Sequence, residues 1–241
     1  MKKTAHDILS QKKNALFDLD GTLLPTHDIW RQCDREYLKL MGIELDPNMD
    51  FNKFCYEVYL KNINSPDPYA AIFEEINKHF NIDMSGKDAH AIVTRFAEQK
   101  MKELDFITGA GKLLHQLKRN SFGMGLVTSS PRKSVDIYTY ENQNLINNAN
   151  LSFIFGQNTV TCEDVAKRKP DPEPYLVASD MFKFKIKDTV VFEDSPEGVQ
   201  SATDAGFDTI LVYDEYWDAQ RKQLLEMTPY HINSYHELLR N

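Results

Sequence analysis

The sequence has only 3 cysteines in 241 residues, and Cys33, Cys55 and Cys162 are far apart with no C-x-x-C pair among them. A set that is odd in number and scattered argues against a zinc site and against a disulfide framework, and it suits a reducing compartment. No run of about 18 apolar residues occurs, so no membrane-spanning helix is expected. The start, Met1-Lys2-Lys3-Thr4-Ala5-His6-Asp7, is basic but never reaches an apolar segment, so no secretory signal is expected. Among the 7 histidines there is no H-E-x-x-H, and His231 and His236 read as structural or solvated. Repeats and low-complexity tracts are also missing. A basic excess is absent as well: 28 Lys and Arg stand against 36 Asp and Glu, a formal charge of −8, which argues against a non-specific nucleic-acid binder. The charges are not gathered into blocks and 41% of the residues are apolar, which excludes a disordered chain. A soluble, acidic, cytoplasmic protein is expected, long enough for one domain carrying an insertion or for two small domains.

The first strong pattern that is present is Asn14-Ala15-Leu16-Phe17-Asp18-Leu19-Asp20-Gly21. A short apolar run ending in acids and glycine reads as a buried strand that stops at a polar site. From about residue 28 to 103 the period becomes helical, with Ile29, Cys33, Tyr37 and Met41, then Phe54 and Val58, Ile72 and Ile76, Ile92 and Phe96 at three- and four-residue steps. Breakers at Gly42, Asp46-Pro47, Ser65-Pro66-Asp67-Pro68 and Ser85-Gly86 divide this stretch into about four helices. Beyond it, strands and helices alternate. Strands are expected at 122–128, 153–155, 189–192 and 209–213, and helices at 111–120, from Pro131 to about Tyr140, at 174–182 and at 197–205. The Asn-rich stretch 142–150 reads as a helix end and loop. Alternation with fully apolar strands predicts a parallel sheet covered on both faces.

In such a sheet, ligands bind beyond the carboxyl ends of the strands. The first strand delivers Asp18 and Asp20 there, the second Thr128, Ser129 and Ser130, and a later one Glu193, Asp194 and Ser195. Ahead of that last strand lies Lys167-Arg168-Lys169-Pro170-Asp171-Pro172. Acids crowded in this way repel one another, and their oxygens suit a hard divalent cation such as Mg2+ beside a phosphate. The convergence therefore reads as metal, phosphate and nucleophilic carboxylate together. Taken singly, each piece has an ordinary reading too. Asp18 and Asp20 fit a strand-end turn, Ser130 and Ser195 fit helix caps, and Lys169 or Arg132 alone fits a solvated side chain.

Together these residues resemble a known family. Asp18-Leu19-Asp20-Gly21-Thr22-Leu23 resembles the first motif of the haloacid dehalogenase superfamily. Thr128 is similar to its second, Lys169 in Lys-Pro-Asp-Pro to its third, and Glu193-Asp194-Ser195-Pro196-Glu197-Gly198 to its fourth. The closest branch has a helical cap and includes phosphoglycolate phosphatases and beta-phosphoglucomutases. The resemblance implies a Rossmann-like, doubly wound parallel sheet core at 1–26 and 104–241, with a helical cap inserted at 27–103. It implies that Asp18 is a nucleophile forming an aspartyl-phosphate, that Asp20 is the general acid and base, and that Lys169 neutralises the transferring group, oriented by Glu193. Thr128 and Ser129 would bind phosphoryl oxygens, and Arg132 would touch substrate. Asp18, Asp194 and the Asp20 backbone carbonyl would hold Mg2+.

The implied function is an Mg2+-dependent phosphatase acting on a small phosphorylated metabolite, with no nucleic acid and no membrane as partner. The alternatives are a sugar-phosphate mutase and a catalytically idle binding or scaffold protein. Asp20 argues against dehalogenases, which lack the second acid. Mutases of this family tend to carry a His about ten residues after it, where this sequence has Trp30. Idle members usually lose the nucleophile, the Lys or the metal acid, and all three are present. One departure is Pro25, which stands where many helical-cap members have Asp.

Overall fold

Ala15, Leu16 and Phe17 are wholly buried because strand β1 (Asn14–Phe17) runs up the middle of a six-stranded sheet. The structure is a computed structural model that describes residues 4–62 and 65–239; Met1-Lys2-Lys3 lies outside the described residues. It contains two compact units, one formed by the residues up to His27 with those from Lys102 onward, the other by Asp28–Met101.

The first unit holds the sheet. Besides β1 it contains β2 (Gly123–Val127), β3 (Thr159–Val160), β4 (Thr189–Glu193), β5 (Asp208–Val212) and β6 (Tyr230–Ile232). All neighbours pair in parallel, in the order β3-β2-β1-β4-β5-β6. Its helices are α1 (Ala5–Ser10), α6 (Ala110–Arg119), α7 (Arg132–Asp136), α8 (Gln143–Ala149), α9 (Leu151–Phe155), α10 (Glu173–Phe182), α11 (Pro196–Asp204) and α12 (Arg221–Met227). Successive strand residues face opposite sides. Leu16, Val127 and Val191 therefore pack with Tyr175 and Ala178 of α10 and Ala202 of α11. On the other side Phe17 stacks on Phe192 at 4.5 Å, with Phe155 of α9 and Tyr235 beside them. Each such buried side chain contributes about 1.5–3 kcal/mol. From β1 the chain builds β2 and β3 on one side, then returns to build β4, β5 and β6 on the other. This reversal leaves a crevice at the carboxyl ends of β1, β2 and β4, the usual ligand position in an open α/β sheet.

The four periodic runs form α2 (Thr26–Leu40), whose first two residues, Thr26 and His27, belong to the first unit, and, within the second unit, α3 (Phe51–Asn62), α4 (Pro68–Phe80) and α5 (Gly86–Met101). Their limits follow from local chemistry. The Asp67 carboxylate accepts from Ala70 N at 3.0 Å ahead of Pro68, and Asn81 ends α4 in the left-handed region at φ 54°. Inside, the Tyr37 hydroxyl donates to Asn77 Oδ1 at 2.6 Å, and the Asn77 amide donates to Met84 O at 2.9 Å.

Several expectations are corrected. Phe153-Ile154-Phe155 is not a strand but part of α9, because the Asn150 carboxamide caps the Phe153 amide at 3.0 Å and starts a helical turn. The third strand is instead Thr159–Val160. The 142–150 stretch is not a loop: Asn142 accepts from Leu145 N at 3.0 Å and opens α8. The helix after Pro131 changes to a π-helical turn at Ile137–Glu141. Helices α1 and α12 and strand β6 add to the elements that the sequence pattern marked. His231 and His236 are both exposed. No helix among the described residues is long and apolar enough to cross a membrane.

Candidate active site

Beyond Phe17 the Asp18 amide still donates to Phe192 O at 3.0 Å, so Asp18 leaves the sheet at a fixed height and is buried. Gly21 then turns the chain at φ 83°, and its amide donates to Leu24 O at 2.7 Å. Any Cβ at Gly21 would strike the His27 imidazole and the Asp194 carboxylate, so the turn requires glycine twice over.

Lys169 reaches this point from the segment before α10. Its ammonium has three donors, and three acceptors meet them: Asp18 Oδ1 at 2.6 Å, Glu193 Oε1 at 2.6 Å and Val127 O at 2.9 Å. Glu193 is wholly buried and saturated. Oε1 also accepts from the Tyr175 hydroxyl at 2.6 Å, while Oε2 accepts from Asp194 N at 3.2 Å and Ser195 Oγ at 3.3 Å. The Tyr175 ring lies 5.0 Å from the Lys169 ammonium.

Asp20 meets the end of β2. Its Oδ2 accepts from Ser130 Oγ at 2.6 Å and from Thr128 Oγ1 at 3.4 Å, and Thr128 Oγ1 accepts from Ser130 N at 3.0 Å. The other oxygen, Asp20 Oδ1, is buried with no partner among the described residues. Asp194 is held from three sides. Oδ1 accepts from Thr22 Oγ1 at 2.7 Å, and Oδ2 from Trp217 Nε1 at 2.8 Å and His27 Nε2 at 3.0 Å.

Carboxylate oxygens of Asp18, Glu193 and Asp194 lie within 4.8 Å of one another. Burial pushes the Asp18 carboxyl well above the usual range, Lys169 pulls it down, and Glu193 and Asp194 push it up again. Burial acts to lower Lys169, but Asp18 and Glu193 together outweigh it and hold the ammonium above its ordinary value. Burial likewise works against a charged His27, and its bond to Asp194 reverses the balance and raises it. Lys169 and His27 together still face four carboxylates, those of Asp18, Asp20, Glu193 and Asp194, which leaves negative charge uncompensated. Hard oxygen donors in that state fit a divalent cation. Glu193 has no acceptor capacity left for one, whereas Asp18 Oδ2 receives no hydrogen bond from the described residues and Asp194 Oδ1 receives one.

The structure thus brings Asp18, Asp20, Thr128, Lys169, Glu193 and Asp194 together, with half-buried Ser129 next to Thr128 at the β2 end. Arg132 is engaged elsewhere: its guanidinium donates to Asp164 Oδ2 at 2.7 Å and Thr159 O at 3.4 Å. Ser195 both caps α11, accepting from Gly198 N at 3.0 Å, and donates to Glu193. Ser130 grips Asp20 rather than capping a helix. Sequence reasoning missed Tyr175, His27 and Trp217 as members of the site. Each is an aromatic or imidazole ring on a helix or short turn, the commonest appearance of a core residue, and carries no local sign of a polar contact.

Comparison with known proteins finds relatives along most of the chain. A "Probable pseudouridine-5'-phosphatase" of Drosophila melanogaster is 28% identical over 212 residues, covering 87% of this chain and 85% of the relative. The 6-phosphogluconate phosphatase of Escherichia coli is 25% identical over 204 residues, with 83% and 82% covered. A crystal structure of a mutant CbbY from Rhodobacter sphaeroides superposes with a TM-score of 0.71 at 19% identity, covering 94% of this chain and 96% of that one, a likeness that establishes the fold. The family profile described as haloacid dehalogenase-like hydrolase matches residues 15–212, from the first residues of β1 to the end of β5, and the chain belongs to that family.

Proposed function

We propose that this hydrolase removes phosphate from a small phosphorylated sugar derivative through an aspartyl-phosphate on Asp18. The observation that carries the reading is the Lys169 ammonium, shared at 2.6 Å between Asp18 and Glu193 beside an Asp20 that is held separately. Asp18 attacks phosphorus in line, the bond from phosphorus to the ester oxygen breaks, and Asp20 serves as the general acid that passes a proton to the leaving alkoxide. Water then attacks the acyl phosphate, Asp20 takes the water proton, and phosphate and the Asp18 carboxylate are released. Ser130, at 2.6 Å, fixes the Asp20 carboxyl through Oδ2 and leaves Oδ1 for the proton. The long 3.4 Å contact from Thr128 leaves its hydroxyl proton available to a phosphoryl oxygen, with the Ser129 amide beside it. Glu193 holds Lys169 in place, and Lys169 neutralises the transferring group. Asp18, Asp194 and the backbone carbonyl of Asp20 would hold Mg2+, which when bound supplies the positive charge that lets two anions approach.

The named substrates of the relatives, pseudouridine-5'-phosphate and 6-phosphogluconate, support the substrate class. Free thiols at Cys33, Cys55 and Cys162 support a cytoplasmic place of work. The test is phosphate release from p-nitrophenyl phosphate by the full chain. Release should require Mg2+ and vanish in Asp18→Asn. Release that survives in that variant, or is absent from the unaltered protein, overturns the mechanism, and accumulation of an isomerised sugar phosphate would replace it with the mutase reaction.

A further inference from the structure

Asp194 Oδ2 has two acceptor positions, and two ring N–H groups fill them: the Trp217 indole at 2.8 Å and His27 Nε2 at 3.0 Å, which beside a carboxylate acts as the donor. Oδ1 takes only the Thr22 hydroxyl, at 2.7 Å, and keeps one position open. The two rings are themselves fixed. His27 stacks on Tyr216 with centroids 4.5 Å apart and meets the edge of Trp217 at 5.7 Å. The Asp214 carboxylate accepts from Tyr216 N at 2.7 Å and so opens the short turn, Glu215–Gln220, that carries Trp217 inward to 6% exposure. The motif glycine, Gly21, leaves the room in which His27 and Asp194 meet, since a Cβ there would overlap both. Nothing in the phosphoryl-transfer steps uses either ring.

We infer that His27 and Trp217 are positioning residues for the cation: together they occupy one oxygen of Asp194, fix the plane of its carboxylate, and leave Oδ1 as its single metal-binding atom. The inference rests on the proposed reading of Asp194 as an Mg2+ ligand. Groups that orient a ligand from behind typically contribute 10–100-fold in metal affinity, so the clamp should be visible in binding itself.

The sequence has 2 tryptophans, and Trp30→Phe leaves Trp217 as the sole indole reporter in the full chain. In that background Mg2+ titration should shift the Trp217 emission, and calorimetry should give the same Kd. Trp217→Phe and His27→Phe, which keep the ring and lose the N–H, should each raise the Mg2+ Kd by roughly 10–100-fold. His27→Gln, which restores a side-chain N–H, should recover part of the loss. In turnover the effect should fall on the Mg2+ concentration giving half-maximal rate, with a smaller change in kcat at saturating Mg2+. A merely structural pair would lower the Tm and leave the Mg2+ Kd where it was, and that result overturns the clamp. Asp194→Asn separates the two levels of the argument. If it abolishes Mg2+ binding while the ring variants bind as the unaltered protein does, the clamp alone is wrong. If Asp194→Asn binds Mg2+ unchanged, or the unaltered protein binds none, the reading of the site falls and takes the clamp with it.

Discussion

Glu193 shows how one buried residue can be fixed from every side. Lys169 and Tyr175 take Oε1, the Asp194 amide and Ser195 hydroxyl take Oε2, and the first turn of α11 closes over the carboxyl group at Gly198. Gly198 has no left-handed φ, so its backbone would accept alanine. Two effects of opposite sign therefore compete in Gly198→Ala. Helix propensity favours alanine by up to about 1 kcal/mol. Against it, the added methyl would overlap the Glu193 carboxyl, which four donors prevent from moving aside, and overpacking of that kind costs about 1–3 kcal/mol. The collision should win. Gly198→Ala is expected to unfold at lower urea concentration than the unaltered protein and to lose most of its phosphatase rate, because a displaced Glu193 no longer holds Lys169. A variant that is more stable and fully active would show that Glu193 has freedom which these contacts deny it.

At the level of elements, Arg132 and Asp164 tie the start of α7 to the segment after β3. Asp164 Oδ2 accepts from Thr161 N at 2.7 Å, Thr161 Oγ1 at 2.8 Å and Arg132 at 2.7 Å. Burial acts to raise the Asp164 carboxyl, but the two Thr161 donors and Arg132 outweigh it and hold it below its ordinary value. A depressed folded pKa stabilises the fold above the unfolded value, about 3.9 for Asp, and the gain fades as pH falls through the folded value. The Tm difference between the unaltered protein and Asp164→Asn should therefore be constant above about pH 5 and shrink as the pH drops below about 3.9. A difference that stays the same down to pH 2.5 would mean that the charge on Asp164 contributes nothing. This contact is not legible in the sequence, because the partner of Arg132 lies 32 residues on, near a strand of two residues, Thr159–Val160. Strands β1, β2, β4 and β5 were legible because both of their faces are buried and the apolar run is continuous. β3 and β6 are too short to carry a pattern, and in 151–155 an Asn cap overrode aromatic and β-branched residues that favour strands. The acids, hydroxyls and lysine of the site were legible because strand ends must deliver them to one edge. The rings of Tyr175, His27 and Trp217 reach the same point only through tertiary packing.

Over the whole molecule, the formal charge of −8 acts in two ways that a cation can separate. Dispersed surface acids attract Mg2+ weakly and are screened over about 8 Å at physiological salt. The cluster of Asp18, Asp20, Glu193 and Asp194 is set against only Lys169 and His27, is largely buried, and escapes most of that screening. A ligand that binds only the folded state stabilises it by about 2.7 kcal/mol at 100 times its Kd. For chains of this size about 1 kcal/mol corresponds to about 2–4 °C in Tm. Saturating Mg2+ should then raise the Tm by roughly 5–11 °C, and a chelator should reverse the gain. The site and the surface are told apart by adding 150 mM NaCl and by Asp194→Asn, which alters the total charge by one but removes a carboxylate from the cluster. If the site holds the cation, the shift survives the salt and disappears in the variant. If the shift fades with salt and is the same in both proteins, the cation is responding to the diffuse acidity of the chain, and the buried carboxylates are neutralised by protons instead.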